Sequence, residues 1–225
     1  MSHTKAIIFD CDGTLVDTEI MSARIDVMHF AAHGIRFESP EAYLAEFMGV
    51  AKKDIIAFLN QRHGISMSAE EFEEDFAQLM VERIPSEMNF FPESVSFVQS
   101  LGTRSVPMAV ASNGQRTAVL AELRHAGYLG VIHEGHVVAV GDVTRPKPAP
   151  DMYIEAAQRL GVAAADCIVV EDSVPGARAG VAAGMTVLGY TGFSHDRDKA
   201  AQALQKAGCA HIINSLSEIA PFVAR

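Results

Sequence analysis

The sequence predicts an α/β protein with a Rossmann-like parallel sheet, helices on both faces of the sheet, and an inserted all-helical domain. Three observations predict this fold. Short apolar runs alternate with helix-length segments in the second half of the chain, one further apolar run stands alone near the N-terminus, and a long helical block separates the two. The chain has 225 residues, 49% of them hydrophobic, which is enough for a large core.

The predicted strands are continuous apolar runs, which are typical of strands buried on both faces of a parallel sheet. The predicted strands are 5–9, 106–111, 167–170, 185–189 and 210–214, and the helix-length segments between them are 115–126, 149–160, 174–183 and 196–207. This alternation of strand and helix indicates a parallel sheet with helices on both faces.

Residues 18–90 have a different pattern, because four segments with helical spacing follow one another and no strand candidate interrupts them. Ser39 followed by Pro40 is a helix-start signal, and so is Ser68 with Glu71 three residues later. The predicted domains are therefore a sheet domain, residues 1–17 and 91–225, and a helical domain, residues 18–90.

Composition excludes several classes of protein. The net charge of −10 argues against a nucleic-acid partner, which needs a basic surface. The three cysteines, Cys11, Cys167 and Cys209, are too few and too far apart for a disulfide framework or a zinc knuckle. No apolar run reaches the length of a membrane span, and the N-terminus does not have the pattern of a signal peptide. We therefore expect a cytoplasmic monomer or weak dimer that has no membrane partner.

Acidic residues follow the first predicted strand directly. Asp10 comes after the run AIIF, at the carboxyl end where open α/β sheets bind ligands. Because side chains alternate along an extended chain, Asp10 and Asp12 face one side while Cys11 faces the other. Gly13 permits a sharp turn, and Thr14 adds a hydroxyl and an amide.

Two later strands also end in polar residues, and each is followed by a helix whose N-terminus favours an anion. These ends supply Ser112, Asn113 and Gly114, then Glu171 and Asp172, while a loop between two prolines supplies Lys147. Several carboxylates in one place need a cation, and hard oxygen ligands suit Mg²⁺. We therefore expect a Mg²⁺ site that also binds the phosphate of a small molecule, with the lysine and the amides on the phosphate oxygens.

Four segments, in order, resemble the motifs of the haloacid dehalogenase-like superfamily: DCDGTLVD, ASNG, RPKPAPD and VVEDSVPGARAGVAAGM. The helical block resembles the α-helical cap of β-phosphoglucomutase-like and phosphoglycolate-phosphatase-like members. The resemblance implies a Mg²⁺-dependent phosphatase for a small phosphorylated metabolite. The residues of these motifs are most similar to those of bacterial sugar-phosphate phosphatases, including the 6-phosphogluconate type.

The resemblance also implies roles for the acidic residues. Asp10 is the expected nucleophile that forms an aspartyl-phosphate, and Asp12 is the expected general acid and base. The metal ligands are expected among Asp10, Asp12 through its carbonyl, and Asp172, with Glu171 beside the ion or bound through water.

Further residues are expected to contact the substrate. Thr14 and Ser112 hold phosphoryl oxygens, and Lys147 balances charge in the transition state. The remaining predicted substrate contacts are Gly13, Asn113, Gly114, Lys52, Lys53, Arg116 and Arg145. Lys52 and Lys53 belong to the segment FMGVAKKD, residues 47–54, which resembles the substrate loop of the cap.

Single residues distinguish the other chemistries of the superfamily. Asp12 argues against haloacid dehalogenases and phosphonatases, which lack the second aspartate. Ser22 occupies the position at which β-phosphoglucomutases carry a histidine, so a hydrolase is favoured over a mutase. A sugar-phosphate mutase and a non-catalytic phospho-ligand-binding module remain as alternatives.

His29 and His33 have the four-residue spacing of a helical metal-binding pair. No HExxH glutamate accompanies them, and the sequence indicates no third ligand. We therefore expect no zinc site at this pair.

Overall fold

The computed structural model describes residues 6–47, 50 and 52–223. It divides into an α/β unit, up to Asp17 and from Asn89 onward, and a helical unit, Thr18–Met88. The predicted helical domain began at the same residue and ended at residue 90 instead of 88. Lys5, in the first predicted strand, lies outside the described residues.

The elements follow the order that the sequence predicts. The strands are β1 (Ala6–Phe9), β2 (Met108–Gln115), β3 (Val137–Val140), β4 (Cys167–Glu171), β5 (Thr186–Tyr190) and β6 (His211–Ile213). The helical unit contains α1 (Glu19–Ala32), α2 (Pro40–Phe47), α3 (Lys52–His63) and α4 (Ala69–Glu87). The α/β unit contains α5 (Pro92–Thr103), α6 (Arg116–Ala126), α7 (Asp151–Leu160), α8 (Val174–Ala182) and α9 (Arg197–Ala207).

The described strands form one parallel sheet in the order β3-β2-β1-β4-β5-β6. The strand order reverses between β1 and β4, and this switch point is where doubly wound sheets bind ligands. Two details differ from the prediction. The short edge strand β3 was not predicted, and β2 extends beyond Ala111 to Gln115 with a shift in register between those residues.

The core of the α/β unit explains why its strands are continuously apolar. Ile7 and Ile8 are adjacent in β1 and both are fully buried, although they point to opposite faces of the sheet. On one face, Ile8 belongs to a cluster that includes Val169 of β4, Tyr153 of α7 and Leu204 of α9. Each such aliphatic side chain contributes about 1.5–3 kcal/mol when it is fully buried.

The helical unit has its own aromatic core. Phe30 of α1 lies 5.0 Å from Phe72 of α4 and 5.8 Å from Tyr43 of α2, measured between ring centroids. Phe47 at the end of α2 joins the same cluster, 5.4 Å from Tyr43. Tilted aromatic pairs at these separations stabilise a core beyond the area that they bury, so this short segment can build a core of its own.

Both helix-start signals in this unit are confirmed. The Ser68 hydroxyl accepts a hydrogen bond from the Glu71 amide at 3.3 Å, and the Ser39 hydroxyl accepts one from the Ala42 amide at 3.1 Å. Across the described ranges, no helix is both long enough and apolar enough to cross a membrane.

Candidate active site

The polar strand ends of the α/β unit meet in one cleft of about 180 Å³, at the switch point between β1 and β4. Asp10 follows β1 and is held to β4 by its amide, which donates to the Val170 carbonyl at 2.9 Å. The cleft is lined by Asp10, Asp12, Ser112, Asn113, Gly114, Lys147, Asp172, Ser173 and Pro175. The sequence-predicted core residues are therefore brought together.

A tight turn after β1 brings Asp172 close to the first acidic pair. Gly13 has a φ of +83°, and a Cβ at this position would lie 2.2 Å from a carboxylate oxygen of Asp172. Any side chain here would be strained and would also displace Asp172. The hydroxyl of the buried Thr14 donates to Asp172 at 3.1 Å. Thr14 therefore positions the carboxylate of Asp172 in this structure.

Lys147 is almost fully buried between two carboxylates. Its Nζ lies 2.5 Å from Asp10 Oδ1 and 2.8 Å from Glu171 Oε2. The same Glu171 oxygen accepts a hydrogen bond from the Tyr153 hydroxyl at 2.6 Å. The other Glu171 oxygen accepts from the amide and hydroxyl of Ser173, at 3.0 Å and 2.8 Å. Glu171 is thus fully engaged and holds Lys147 in place.

The charges in the cleft do not balance. Burial and the nearby Glu171 raise the pKa of Asp10 to about 8, although Lys147 opposes the shift. Burial, then Asp10 and Glu171, raise the pKa of Asp172 well above its ordinary value. Burial tends to raise the pKa of Glu171 as well, but Lys147 holds the pKa of Glu171 below its ordinary value. One lysine therefore faces more carboxylate charge than it can neutralise.

This imbalance fits a divalent cation. Carboxylate oxygens of Asp10, Glu171 and Asp172 lie within 4.8 Å of one another. Because Glu171 already accepts four hydrogen bonds, Asp10 and Asp172 are the pair suited to an ion. Two hard carboxylate oxygens are a donor set that Mg²⁺ takes together with water and a substrate phosphate.

The second strand end contributes the opposite wall of the cleft. The Ser112 hydroxyl donates to Asp12 Oδ2 at 3.3 Å and accepts from the Gly114 amide at 2.9 Å. Asn113 lines the cleft, and the substrate contact predicted for the amide after Ser112 stays a prediction; its side-chain amide makes two hydrogen bonds to the backbone of Lys147, at 3.0 Å and 3.1 Å. Asn113 therefore fixes the loop that carries Lys147.

The two predicted substrate arginines have partners within the protein. Arg116 donates to the backbone carbonyl of Val137 at 2.8 Å and to Asp142 at 3.0 Å. Arg145 makes a two-point contact with Asp151, at 3.1 Å and 3.0 Å. These contacts brace the loops around β3 and α7, so the geometry gives neither arginine a place among the cleft residues.

The two predicted substrate lysines differ from each other. Lys52 forms an ion pair with the buried Asp26 inside the helical unit, and its Nζ lies 4.5 Å from the Phe76 ring centroid. The role of Lys52 that the structure shows is therefore a packing role. Lys53 is exposed, and its role stays a prediction. Met48, Gly49 and Ala51 of the predicted substrate loop lie outside the described residues.

Sequence reasoning missed Tyr153 and Ser173 as supports of the site. Ser173 directly follows Glu171 and Asp172. Its hydroxyl also accepts a hydrogen bond from the Gly176 amide at 3.1 Å, and this bond caps the N-terminus of α8. Tyr153 lies on the first turn of α7, beyond the proline-rich loop, and its hydroxyl position follows only from the tertiary fold. The sequence signal for Tyr153 was the presence of a tyrosine in the helix that follows Lys147.

Comparison with known proteins agrees with this geometry. The model of a family described as haloacid dehalogenase-like hydrolase matches residues 4–184. The 6-phosphogluconate phosphatase of Escherichia coli (strain K12) is 32% identical over 200 residues, which cover 88% of this chain and 87% of that protein. Hexitol phosphatase A of the same organism is 32% identical over 187 residues, covering 82% of each chain.

A solved structure shows the same likeness. A haloacid dehalogenase family hydrolase from Deinococcus radiodurans R1, crystallised with bound phosphate and sodium, has a TM-score of 0.72 and 31% sequence identity. The match covers 97% of this chain and 94% of the other.

Proposed function

The chain belongs to the haloacid dehalogenase-like hydrolase family and is a phosphomonoesterase, and we propose that it hydrolyses a sugar or sugar-acid phosphate through an aspartyl-phosphate, with Mg²⁺. One observation carries the proposal. Asp10 stands at the end of β1 in the cleft, with Oδ1 on Lys147 Nζ and its carboxylate within 4.8 Å of that of Asp172. Such a carboxylate is poised for a cation and for phosphorus.

Asp10, the backbone carbonyl of Asp12 and the carboxylate of Asp172 would hold the ion. When bound, Mg²⁺ supplies charge that offsets the carboxylates and the phosphoryl oxygens. Glu171 supports the site from outside, because its oxygens are engaged by Lys147, Tyr153 and Ser173.

In the first step, the free Asp10 oxygen forms a bond to phosphorus while the bond from phosphorus to the leaving oxygen breaks. The proton on the Asp12 carboxyl moves to the leaving oxygen, so the product departs as an alcohol. The Ser112 hydroxyl, 3.3 Å from Asp12, orients that carboxyl. Lys147 offsets the negative charge that grows on the phosphoryl oxygens.

In the second step, water gives its proton to the Asp12 carboxylate and its oxygen attacks phosphorus. The bond between phosphorus and Asp10 breaks, which releases inorganic phosphate and restores both aspartates. Burial of Asp10 and Lys147 limits competing access of water to the nucleophile.

Two relatives support the choice of substrate. The names of the two Escherichia coli relatives specify 6-phosphogluconate and hexitol phosphates, and each relative is 32% identical to this chain. Polyhydroxylated leaving groups are the chemistry common to both. We further propose that the helical unit acts as a cap that selects the leaving group, with Lys53 as its candidate contact.

A screen of phosphate release tests the proposal. With Mg²⁺, we expect the kcat/KM of the best sugar or sugar-acid phosphate to exceed that of nucleoside monophosphates by at least tenfold. Asp10→Asn should abolish release from every substrate. The matched change Asp26→Asn, a buried aspartate of the helical unit, should keep most activity. A preference for nucleotides would reject the substrate class, and release that survives Asp10→Asn would reject the mechanism.

The same screen separates the alternatives. Because residue 22 is a serine, this position offers no imidazole for a mutase. The Ser22 hydroxyl contacts the Met80 sulfur at 3.7 Å. Incubation with β-glucose 1-phosphate and a bisphosphate primer should give free phosphate and no isomer. Isomer formation would indicate a mutase, and no reaction with any phosphoester would indicate a binding module.

A further inference from the structure

One carboxyl group of the α/β unit is buried on the core face of a helix and has no part in the mechanism proposed above. The buried residues of α6 are Ala118, Val119, Glu122, Leu123 and Ala126, which form one stripe at helical spacing. Glu122 interrupts this apolar stripe and is only 1% exposed. A carboxyl group in such a place is costly unless polar partners replace the lost water.

The polar neighbours of Glu122 lie in the turn that follows β1. Its Oε2 accepts a hydrogen bond from the Cys11 thiol at 3.4 Å. The Cys11 sulfur, a carboxylate oxygen of Asp12 and a carboxyl oxygen of Glu122 all lie within 4.8 Å of one another. Polar groups at such separations are readily bridged by one water molecule. Glu122 is therefore bonded to Cys11 and lies next to the residue that the mechanism uses as general acid and base.

The Asp12 carboxylate lies beside the start of α6. Its Oδ2 accepts from the Ser112 hydroxyl at 3.3 Å, which is long for a hydrogen bond between two oxygens. A Cβ at Gly114 would lie 3.8 Å from the same Asp12 oxygen and 3.0 Å from Cγ2 of Val119. Glu122 follows Val119 by one helical turn. Ser112 alone therefore holds Asp12 weakly, and Glu122 is placed to limit its movement from the side of the helix.

The backbone of the same turn has separate supports. The Cys11 carbonyl accepts hydrogen bonds from three backbone amides further along the turn, at 2.8–3.2 Å. The buried Tyr128, which follows α6, donates from its hydroxyl to the Leu15 carbonyl at 3.1 Å. These bonds fix the path of the chain, but none of them reaches the side chain of Asp12.

We propose that Glu122 is a positioning residue for Asp12, which it holds where the Asp12 proton reaches the leaving oxygen. This role rests on the proposed function of Asp12 as general acid and base. Proton transfer needs the donor within hydrogen-bond distance of the atom that receives the proton, and a small displacement of a catalytic group lowers the rate strongly. Loss of Glu122 should therefore impair reactions that need this proton and spare those that do not.

The leaving group supplies a readout that a merely structural role would not move. An alkyl phosphate releases a strongly basic oxygen that needs the proton of Asp12. The p-nitrophenolate of p-nitrophenyl phosphate is a weak base and leaves without a proton. The first step is measured with Mg²⁺ in single turnovers, with enzyme in excess, as release of the alcohol or of p-nitrophenol. The alkyl substrate is the best one of the screen above, whatever its class.

Two substitutions of similar shape separate the polar role of Glu122 from its packing. Burial and the nearby Asp12 raise the pKa of Glu122 well above its ordinary value, so the neutral amide of Glu122→Gln is a close replacement. Glu122→Met keeps the unbranched shape and loses the polar end. Glu122→Gln should stay within threefold of the parent for both substrates. Glu122→Met should lower the rate with the alkyl phosphate about tenfold and the rate with p-nitrophenyl phosphate less than threefold.

Tyr128→Phe is the matched control, because it removes a hydrogen bond from the same turn at a distance from the Asp12 carboxylate. It should lower both rates by the same factor. Glu122→Ala should show the same selective loss as Glu122→Met, so the test does not depend on the folding of one variant. Equal losses with both substrates in the Met and Ala variants, or a tenfold loss in Glu122→Gln, would overturn the positioning role.

Asp12→Asn tests the mechanism separately. It should lower the rate with the alkyl phosphate about 10²-fold more than the rate with p-nitrophenyl phosphate. Equal losses in Asp12→Asn would reject Asp12 as the general acid and the role of Glu122 with it. A selective loss in Asp12→Asn without one in Glu122→Met would reject the role of Glu122 alone.

Discussion

Each unit of this protein buries a carboxylate that contacts both a lysine and a tyrosine, Glu171 in one and Asp26 in the other, yet only one of the two arrangements is built for chemistry. We call them the active-site cluster (Asp10, Lys147, Tyr153 and Glu171) and the helical cluster (Asp26, Tyr43 and Lys52). In the helical cluster, the Tyr43 hydroxyl donates at 2.8 Å to the same Asp26 oxygen that contacts Lys52. In both clusters the lysine also lies near an aromatic ring, at 4.8 Å for Lys147 and 4.5 Å for Lys52.

The difference lies in the charge count. In the helical cluster Lys52 contacts one carboxylate, that of Asp26, and the nearby carboxylate of Glu73 is only partly buried. The active-site cluster has one lysine for two carboxylates, and Asp172 lies beside it. A surplus of buried carboxylate is costly unless a cation or a proton joins it. That surplus distinguishes a reactive site from a buried ion pair that only holds helices together.

Removing the lysine should have the largest effect. Lys147→Met leaves Glu171 and Asp10 buried without a cation, which should cost about 3 kcal/mol of unfolding free energy. It also removes charge compensation from the transition state, so kcat should fall by about 10²–10³-fold. Denaturant unfolding and initial rates of phosphate release measure the two effects.

Lys52→Met is the paired change in the helical cluster. Its partner Asp26 already has a pKa that burial raises, so it can take up a proton when Lys52 is lost. We expect a loss of about 1–2 kcal/mol in unfolding free energy, with kcat/KM within threefold of the parent. A thousandfold loss of activity in Lys52→Met would show that catalysis depends on the helical cluster as much as on the active-site cluster, which would contradict the expected difference.

The charge surplus also predicts how Mg²⁺ and pH act together. The pKa of Asp10 in the folded, metal-free protein is raised to about 8, so its proton favours folding. That contribution is fully present below the unfolded pKa of about 4 and is lost as pH rises through 8. Mg²⁺ replaces the proton, so it should raise the melting temperature more at pH 8 than at pH 5.

Two variants sharpen this test by differential scanning calorimetry. Asp172→Asn removes one carboxylate of the pair and should abolish most of the Mg²⁺ effect at pH 8. Asp26→Asn alters the other cluster and should leave the effect intact. A larger shift at pH 5 than at pH 8 would contradict the assignment of the surplus to Asp10.

The tyrosines allow a finer comparison. Tyr153→Phe removes a 2.6 Å hydrogen bond to Glu171 and loosens the support of Lys147. We expect a loss of about 1.5–3 kcal/mol in unfolding free energy, and about a tenfold fall in kcat with little change in KM. Tyr43→Phe removes the corresponding bond to Asp26 and should lower stability alone. A similar fall in kcat in both variants would indicate a general loss of folding.

The sequence predicted the part of the site that depends on strand ends. Asp10, Asp172 and Lys147 follow apolar strands or a proline-rich loop, and parallel strands bring their carboxyl ends to one edge. The predicted strands were recognised because a strand that is buried on both faces of a parallel sheet is a continuous apolar run. The edge strand β3 was missed although its run VVAV is as apolar as the predicted run CIVV.

Partners that depend on tertiary packing could not be predicted. Asn113 stays a predicted substrate contact through its backbone amide, but the sequence did not show that its side chain holds the backbone of Lys147. Lys52 was expected at the substrate because its segment resembles the substrate loop of the cap, but Asp26 of another helix pairs with it. In both cases the local pattern gives the residue type, and the contact that decides its role comes from a distant element.

The smallest expected effect concerns the predicted substrate arginines. Arg145 is largely exposed, and its contact with Asp151 lies outside the residues that line the cleft. Exposed pairs of this kind contribute about 0.2–1 kcal/mol. Arg145→Ala should therefore change KM by less than twofold and leave kcat unaltered. If KM for the best substrate rises tenfold while that for p-nitrophenyl phosphate does not, Arg145 contacts the leaving group, and charge outside the buried clusters contributes to specificity.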